Sequence, residues 1–197
     1  MKIEFLETIK VVDGKVFNLE YHQERYERTL RAYGVNNFIL LEDFLMPPLR
    51  GFYRCRVVYN LEGSINQEYF LYNKREIHSL KLIASDQILY DKKYLNRDML
   101  NELFRQKGDA DDIIIVKDGL ITDTTIANIA FYDGECWVTP KKPLLLGTTR
   151  QRLLKNAFLK EVDINIDTLQ HYSQLALMNA MINFDIITDK KIEEIIC

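Results

Sequence analysis

Cysteine is scarce in this chain: Cys55, Cys136 and Cys197 are three in number and far apart, which argues against a disulfide framework and against a zinc site. Histidine is as scarce, and His22, His78 and His171 stand isolated without metal-ligand spacing, so no metal is expected. An excess of one charge is missing too. With 26 Lys and Arg against 29 Asp and Glu, no chain-wide cationic field exists to hold a phosphate backbone, and nucleic acid is not an expected partner. No run of about 18 apolar residues occurs, so no membrane span is expected. Met1-Lys2-Ile3-Glu4-Phe5 enters a charged pattern at once, and no signal peptide is read there. A reducing cytoplasm is the expected compartment. The G-x-S-x-G elbow, the G-x-x-x-x-G-K-[ST] loop, G-x-G-x-x-G and H-E-x-x-H are all lacking, which removes most support for hydrolase and metalloenzyme readings.

What is present is the composition of a folded globular protein: 47% hydrophobic, 28% charged and 11% aromatic residues in a chain of 197. Ile3 to Val12 reads as a strand, Asp13-Gly14 as a tight turn, and Lys15 to Phe17 as the returning strand. Asn18 can cap a helix running to about Tyr33, with Gly34 as its stop, and His22 and Arg25 fall on one turn of it. A short helix over Leu40 to Leu45 precedes the break at Pro47-Pro48. Strands follow at Tyr53–Tyr59, Glu68–Tyr72 and His78–Ala84, completing a small antiparallel sheet with helices over 1–84. An irregular polar stretch from Ser85 to Leu95 leads to a second part, 85–197. That part reads as a helix over Arg97–Gln106, an antiparallel meander with Asp-Gly turns at 118 and 133, a helix over Thr149–Leu159, and short strands with a helical turn near Thr168–His171. The fold class is α+β.

Several polar residues stand in unusual places. Gly147-Thr148-Thr149-Arg150 sits at a helix start, where open amides and the positive dipole end suit a phosphate, or where Thr148 merely caps the helix. Thr122 to Thr125 and Asn128 form a polar cluster in strand-like sequence, either a site or an exposed turn. Arg56 lies in an apolar strand, where it needs an anion if buried and only solvent if at an edge. Lys92-Lys93 has no distinguishing context of its own.

Read in order, these pieces resemble the class IV aminotransferase family of fold type IV pyridoxal-phosphate enzymes. Lys93 to Arg97, K-Y-L-N-R, is similar to the K-x-L-N-R of the family's lyase branch, and Asp118-Gly119 through Asp123 and Asn128 to its D-x-G-x-v-t-E-x-x-x-x-N. Thr139-Pro140, Gly147 and Arg150 match its T-P...G-x-x-R element. Phe5 to Gly14 resembles the opening F-E-T...d-G, His22-x-x-Arg25 its H-x-x-R helix, and Met178-Asn179-Ala180-Met181 its C-N-A-L-M. The resemblance implies pyridoxal 5′-phosphate as cofactor, a small-molecule amine as substrate and a homodimer. It implies two small α/β subdomains with the cofactor in the cleft between them. Lys93, rather than Lys92, becomes the lysine that carries the cofactor and acts as base. Asp123 becomes the partner of the pyridine nitrogen. Arg56 and the amides of Thr148, Thr149, Asn179 and Ala180 become the phosphate cradle, and Thr125 and Asn128 supports of the Asp123 loop. Thr8 is taken as catalytic and, with Glu7, as facing the substrate, because both are read as ending the first strand. His22 and Arg25 are taken as packing residues.

Three departures from the family pattern bear on specificity. The stretch ahead of Phe5 is short, Asp123 stands where the family has Glu, and the R-G-x-x-G-R-G-Y loop is missing after Arg56, which runs straight into Val57-Val58-Tyr59. The implied activity is that of an aminodeoxychorismate lyase, forming 4-aminobenzoate and pyruvate. The alternatives are a D-amino-acid or branched-chain transaminase and a non-catalytic cofactor-binding remnant.

Overall fold

The computed structural model describes residues 2–187 together with Ile192 and Ile196. Met1 and Cys197 lie outside the described residues, and Cys55 and Cys136 are free thiols. No helix among the described residues is long and apolar enough to cross a membrane. The chain divides into two units, 1–74 with 92–96, and 75–91 with 97–197. The boundary therefore falls after residue 74 instead of after Ala84, and a short later segment returns to the first unit.

In the first unit, β1 (Glu4–Val12) turns through Asp13-Gly14 into β2 (Lys15–Val16). Asp13 at φ 48° and Gly14 at φ 78° are both left-handed, as a two-residue turn between right-twisted strands requires. With β3 (Phe52–Asn60) and β4 (Ile65–Leu71) they form a sheet of order β2-β1-β3-β4. Along β1, Phe5, Glu7, Ile9 and Val11 are buried, the period of two of a strand with one covered face. The helix α1 (Leu19–Arg31) turns Tyr26 and Leu30 into the cluster formed by Phe5, Ile9, Val11, Cys55, Val57 and Tyr59. Asn18 does occupy its N-cap position, but in left-handed conformation and with no side-chain cap bond. A single turn, α2 (Leu41–Phe44), adds the buried Leu41. Residues 92–96 lie against the start of β1, where Leu6 N–H donates to the Lys93 carbonyl at 2.8 Å and Leu95 N–H to the Glu4 carbonyl at 2.8 Å.

The second unit is an eight-stranded sheet. It comprises β5 (Leu80–Ala84), β6 (Asp112–Lys117), β7 (Leu120–Thr124), β8 (Asn128–Tyr132), β9 (Trp137–Pro140), β10 (Leu159–Val162), β11 (Gln174–Asn179) and β12 (Asn183–Ile187). The sequence places β5 in the first sheet and reads this part as a plain antiparallel meander. Instead β5 runs parallel to β6, and β10 parallel to β9. Parallel neighbours need a crossover, supplied for β5–β6 by α3 (Asp98–Phe104) and for β9–β10 by α4 (Thr148–Lys155). Ile113, Ile114, Ile115 and Val116 of β6 are buried without alternation, the mark of a strand covered on both faces. Each such side chain contributes about 1.5–3 kcal/mol through its removal from water. The core runs through Leu80, Ile114, Ile121, Ile129, Phe131, Leu175 and Leu177. The helix α4 stops earlier than its apolar pattern suggests, because Ala157 takes φ 56° and Leu159 already starts β10.

Candidate active site

Glu7 lies in the middle of β1, not at its end, and is 0% exposed. Its inward position on an otherwise apolar face obliges it to find cations, and α1 supplies them. Arg25 Nε donates to Glu7 Oε1 at 2.8 Å, Arg25 Nη2 to Oε2 at 2.5 Å, and His22 Nδ1 lies 2.6 Å from Oε2. Burial pushes the Glu7 carboxyl up, but the Arg25 charge and the hydrogen bonds from His22 and Arg25 outweigh it and bring the pKa down to about 2. His22 is held below its usual range by burial, against the pull of Glu7, with the charges of Arg25 and Lys93 acting in the same sense as burial. Its Nε2 is buried without a hydrogen-bond partner. The expectation that Glu7 faces a substrate is thereby corrected: its carboxylate is consumed inside the unit. His22 and Arg25 do pack, as part of a buried charge network.

Thr8 points to the opposite face of β1, is half-buried, and stands directly across from Arg56 in β3. Arg56 is not at a sheet edge, since β3 lies between β1 and β4. Its side chain is 36% exposed and its Nη1 lies 3.7 Å from Glu68 Oε2, so an anion is at hand within its own sheet. Lys93 is half-buried beside Leu6, and its charge reaches His22.

In the second unit the polar cluster of the sequence is a tight hairpin, not an exposed turn. Strands β7 and β8 meet at the pair Asp123↔Asn128, with residues 124–127 between them. Just before, the β6–β7 register shifts between Ile114 and Val116, a bulge that frees Asp123 from the regular ladder. Asp123 is 4% exposed with both carboxylate oxygens occupied: Asn128 Nδ2 donates to Oδ1 at 2.7 Å and the Leu145 amide to Oδ2 at 2.9 Å. Burial pushes its pKa up to about 6, resisted by the Leu145 and Asn128 hydrogen bonds and the Arg150 charge. Thr125 Oγ1 donates to both oxygens of Asp112, at 2.7 and 2.9 Å.

The start of α4 adjoins this hairpin. Its N-cap is Gly147, with no side-chain cap hydrogen bond, so Thr148 does not cap the helix but opens its first turn, where no acidic residue stands. Thr148, Thr149 and Arg150 are all buried. Arg150 donates from Nη2 to the Pro140 carbonyl at 2.8 Å and to Glu161 at 2.5 Å, while its Nε is buried without a partner. Asn179 at the β11 end accepts from the Met181 and Ile182 amides at 2.9 and 3.1 Å and donates to the Ile126 carbonyl at 3.2 Å. Its neighbour Ala180 lies in the β11–β12 turn. The structure thus brings Asp123, Thr125, Asn128, the α4 start and Asn179 around one hairpin. Sequence reasoning missed Asp112 and the Leu145 amide. An Asp leading into the apolar run Ile113–Val116 was a usable signal for the first, whereas a backbone donor leaves no mark in a sequence.

The profile of the family described as Amino-transferase class IV matches residues 72–188. The chain belongs to the class IV aminotransferase family. As a class IV aminotransferase it is a pyridoxal-phosphate-dependent enzyme of mixed α/β fold type IV. An uncharacterized protein of Haemophilus influenzae is 38% identical over 181 residues, covering 89% of this chain and 96% of its own. A solved structure from Haemophilus somnus 129PT, provisionally assigned as a 4-amino-4-deoxychorismate lyase, superposes with a TM-score of 0.85 at 32% identity, covering 92% of this chain and 97% of its own. The aminodeoxychorismate lyase of Bacillus subtilis is 26% identical, covering 98% of this chain and 78% of its own.

Proposed function

We propose that this class IV aminotransferase is a lyase acting on aminodeoxychorismate, releasing 4-aminobenzoate and pyruvate. The observation that carries the reading is the lyase-type K-x-L-N-R segment, Lys93 to Arg97, whose Arg97 donates from Nη2 at 2.7 Å to the Thr125 carbonyl in the Asp123 hairpin. The names of the Bacillus subtilis and Haemophilus somnus relatives support it.

The residues present suit pyridoxal phosphate. A buried carboxylate with its proton affinity raised suits a pyridine nitrogen, and an uncapped helix start beside the partnerless Nε of Arg150 suits a phosphate dianion. Lys93 would carry the cofactor, Asp123 would face its ring nitrogen, and the first-turn amides of Thr148 and Thr149 would hold its phosphate. Arg56 and the Asn179 and Ala180 amides are further candidates for that last role, while Thr8 faces the substrate. When bound, the cofactor supplies an electron sink for the pair left on the substrate carbon. Lys93 Nζ, as a free amine, would accept the proton from the substrate carbon that bears nitrogen, acting as general base. The Asp123 carboxylate would favour a proton on the ring nitrogen of the bound cofactor by pairing with the resulting positive charge. Asn128 and the Leu145 amide hold the carboxylate in one orientation meanwhile. We place the enzyme in the cytoplasm as a homodimer, and light scattering showing an active monomer would overturn the dimer.

The test is turnover of aminodeoxychorismate with no keto acid added. Repeated release of 4-aminobenzoate and pyruvate is expected. Activity only on amino acids with 2-oxoglutarate, and none on aminodeoxychorismate, would identify a transaminase instead.

A further inference from the structure

Asp123 sits where strand pairing gives it little support. One register pair joins β7 to β8 there, and the β6–β7 ladder is broken by the bulge alongside. On one side it is held through Thr122, whose Oγ1 donates to the Ile115 carbonyl at 2.7 Å; on the other its place depends on what fixes residues 124–127, and three side chains from outside the hairpin converge on them. Asp112 takes the Thr125 hydroxyl on both carboxylate oxygens and also accepts the Ile113 amide at 2.8 Å. Arg97 donates to the Thr125 carbonyl, its guanidinium lying 5.9 Å from the Tyr90 ring centroid. Asn179 donates to the Ile126 carbonyl. Within the turn, Thr124 N–H donates to the Ala127 carbonyl at 2.9 Å, and Thr124 Oγ1 accepts the Ala127 amide at 3.1 Å.

Asp112 opens β6 with a carboxyl group in a residue that is 0% exposed, and burial raises its pKa against the Thr125 and Ile113 hydrogen bonds and the Arg75 charge. An apolar residue there would avoid that cost, so packing alone does not account for the pair. The pair has one geometric product, the location of Thr125, two residues along the chain from Asp123. We infer that Asp112 and Arg97 are positioning residues, a clamp on Thr125 that sets where the Asp123 carboxylate stands relative to Asn128 and the Leu145 amide. The inference rests on the reading of Asp123 as a cofactor residue and adds to it the groups that place it.

The experiment has two readouts, one of which needs no cofactor. In cofactor-free protein labelled with ¹³C at the Asp carboxyls, the Asp123 signal, assigned with Asp123→Asn, is expected to titrate near pH 6. The groups facing it are Asn128, the Leu144 and Leu145 amides and Arg150. Thr125→Val keeps the side-chain shape and removes the hydroxyl. It should move the midpoint by about 0.5 or more and weaken pyridoxal phosphate binding, read by absorbance titration, about tenfold. Thr125→Ser should restore both. Arg97→Gln leaves the Asp112 pair intact and should move both readouts in the same directions, which covers the case that Thr125→Val fails to fold. An unmoved midpoint and unchanged affinity in these variants, with only the melting temperature lowered, would overturn the clamp. A moved midpoint in protein whose wild type takes up no pyridoxal phosphate would instead overturn the cofactor reading, and leave the clamp positioning a carboxylate with another use.

Discussion

Gly147→Ala should destabilise the protein through a single contact. A Cβ at Gly147 would stand 1.9 Å from Asn128 Oδ1 and 3.1 Å from its Cγ, with no other residue among its three nearest neighbours. Ordinary contacts of this kind lie at about 3.5 Å or more, so the Asn128 amide must retreat by about 1.5 Å. The backbone at Gly147, φ −70° and ψ 144°, suits any residue, which removes strain from the account. Retreat breaks the Asn128 hydrogen bonds to Asp123 at 2.7 Å and to the Leu145 carbonyl at 2.9 Å. The first has a carboxylate acceptor and is worth about 1.5–3 kcal/mol, the second about 1 kcal/mol. The expected loss is therefore about 2–4 kcal/mol, a large share of the 5–15 kcal/mol typical of a domain. Urea unfolding of the cofactor-free protein at pH 7.5 measures it. The informative companion is Asn128→Ala, which breaks the same bonds and removes the obstructing atoms. In the double variant the added methyl has nothing to strike, so Gly147→Ala should cost at most about 1 kcal/mol on top of Asn128→Ala, the residual being the poorer N-cap. Fully additive effects, or a single variant within about 0.5 kcal/mol of wild type, would refute the argument.

Glu7 predicts an acid limb. Its pKa falls from 4.5 to about 2 on folding, so its stabilisation is complete above pH 4.5 and is lost as pH drops toward 2. At about 1.4 kcal/mol per pKa unit the amount is about 3 kcal/mol, and Glu7→Gln should flatten the stability profile across that window. Asp123 acts with the opposite sign. Its pKa rises from 3.8 to about 6, so cofactor-free protein should lose stability, by about 3 kcal/mol, as pH rises from about 4 to 6 and no further above that. Denaturant titrations of Asp123→Asn should lack this slope, and its persistence would assign the proton elsewhere. In borohydride trapping with pyridoxal phosphate, Lys93→Ala should abolish the covalent adduct and Lys92→Ala should retain it, as mass spectrometry of the tryptic peptides will read, and the reverse result would shift the register by one.

Much of the local structure was legible. The left-handed Asp13-Gly14 and Asp118-Gly119 turns, the length of α1 and the alternation of β1 follow from residue chemistry within a few positions. What escaped depended on distant partners. Nothing in Leu80–Ala84 distinguishes a strand of the first sheet from one of the second, because its partner β6 begins 32 residues beyond its own start. Glu7 could have been placed correctly. A carboxylate in the series Phe5, Glu7, Ile9, Val11 predicts burial with a cation, and Arg25 was already known to share a helical turn with His22. In the candidate site, Asp123, Thr125 and Asn128 were visible as polar residues in a strand-like context, and the hairpin gives each a partner. Gly147 looked like part of a phosphate loop, yet its most direct constraint is the side chain it leaves room for.

The return of residues 92–96 to the first unit has a consequence for biosynthesis. The start of β1 pairs with a segment made nearly 90 residues after it, Leu6 bonding to Lys93 and Glu4 to Leu95. A nascent chain stalled after residue 74 holds every strand of the first sheet but leaves this stretch of β1 paired with β3 alone, its other edge open. On the ribosome the unit becomes complete only once Leu95 has cleared the exit tunnel, when β5 and the polar connection have also emerged. A fragment ending at residue 74 or at Ala84 should therefore leave the Leu6 amide unprotected against hydrogen exchange, and chaperone binding to arrested chains should fall as the arrest point moves beyond residue 96 by about a tunnel's length.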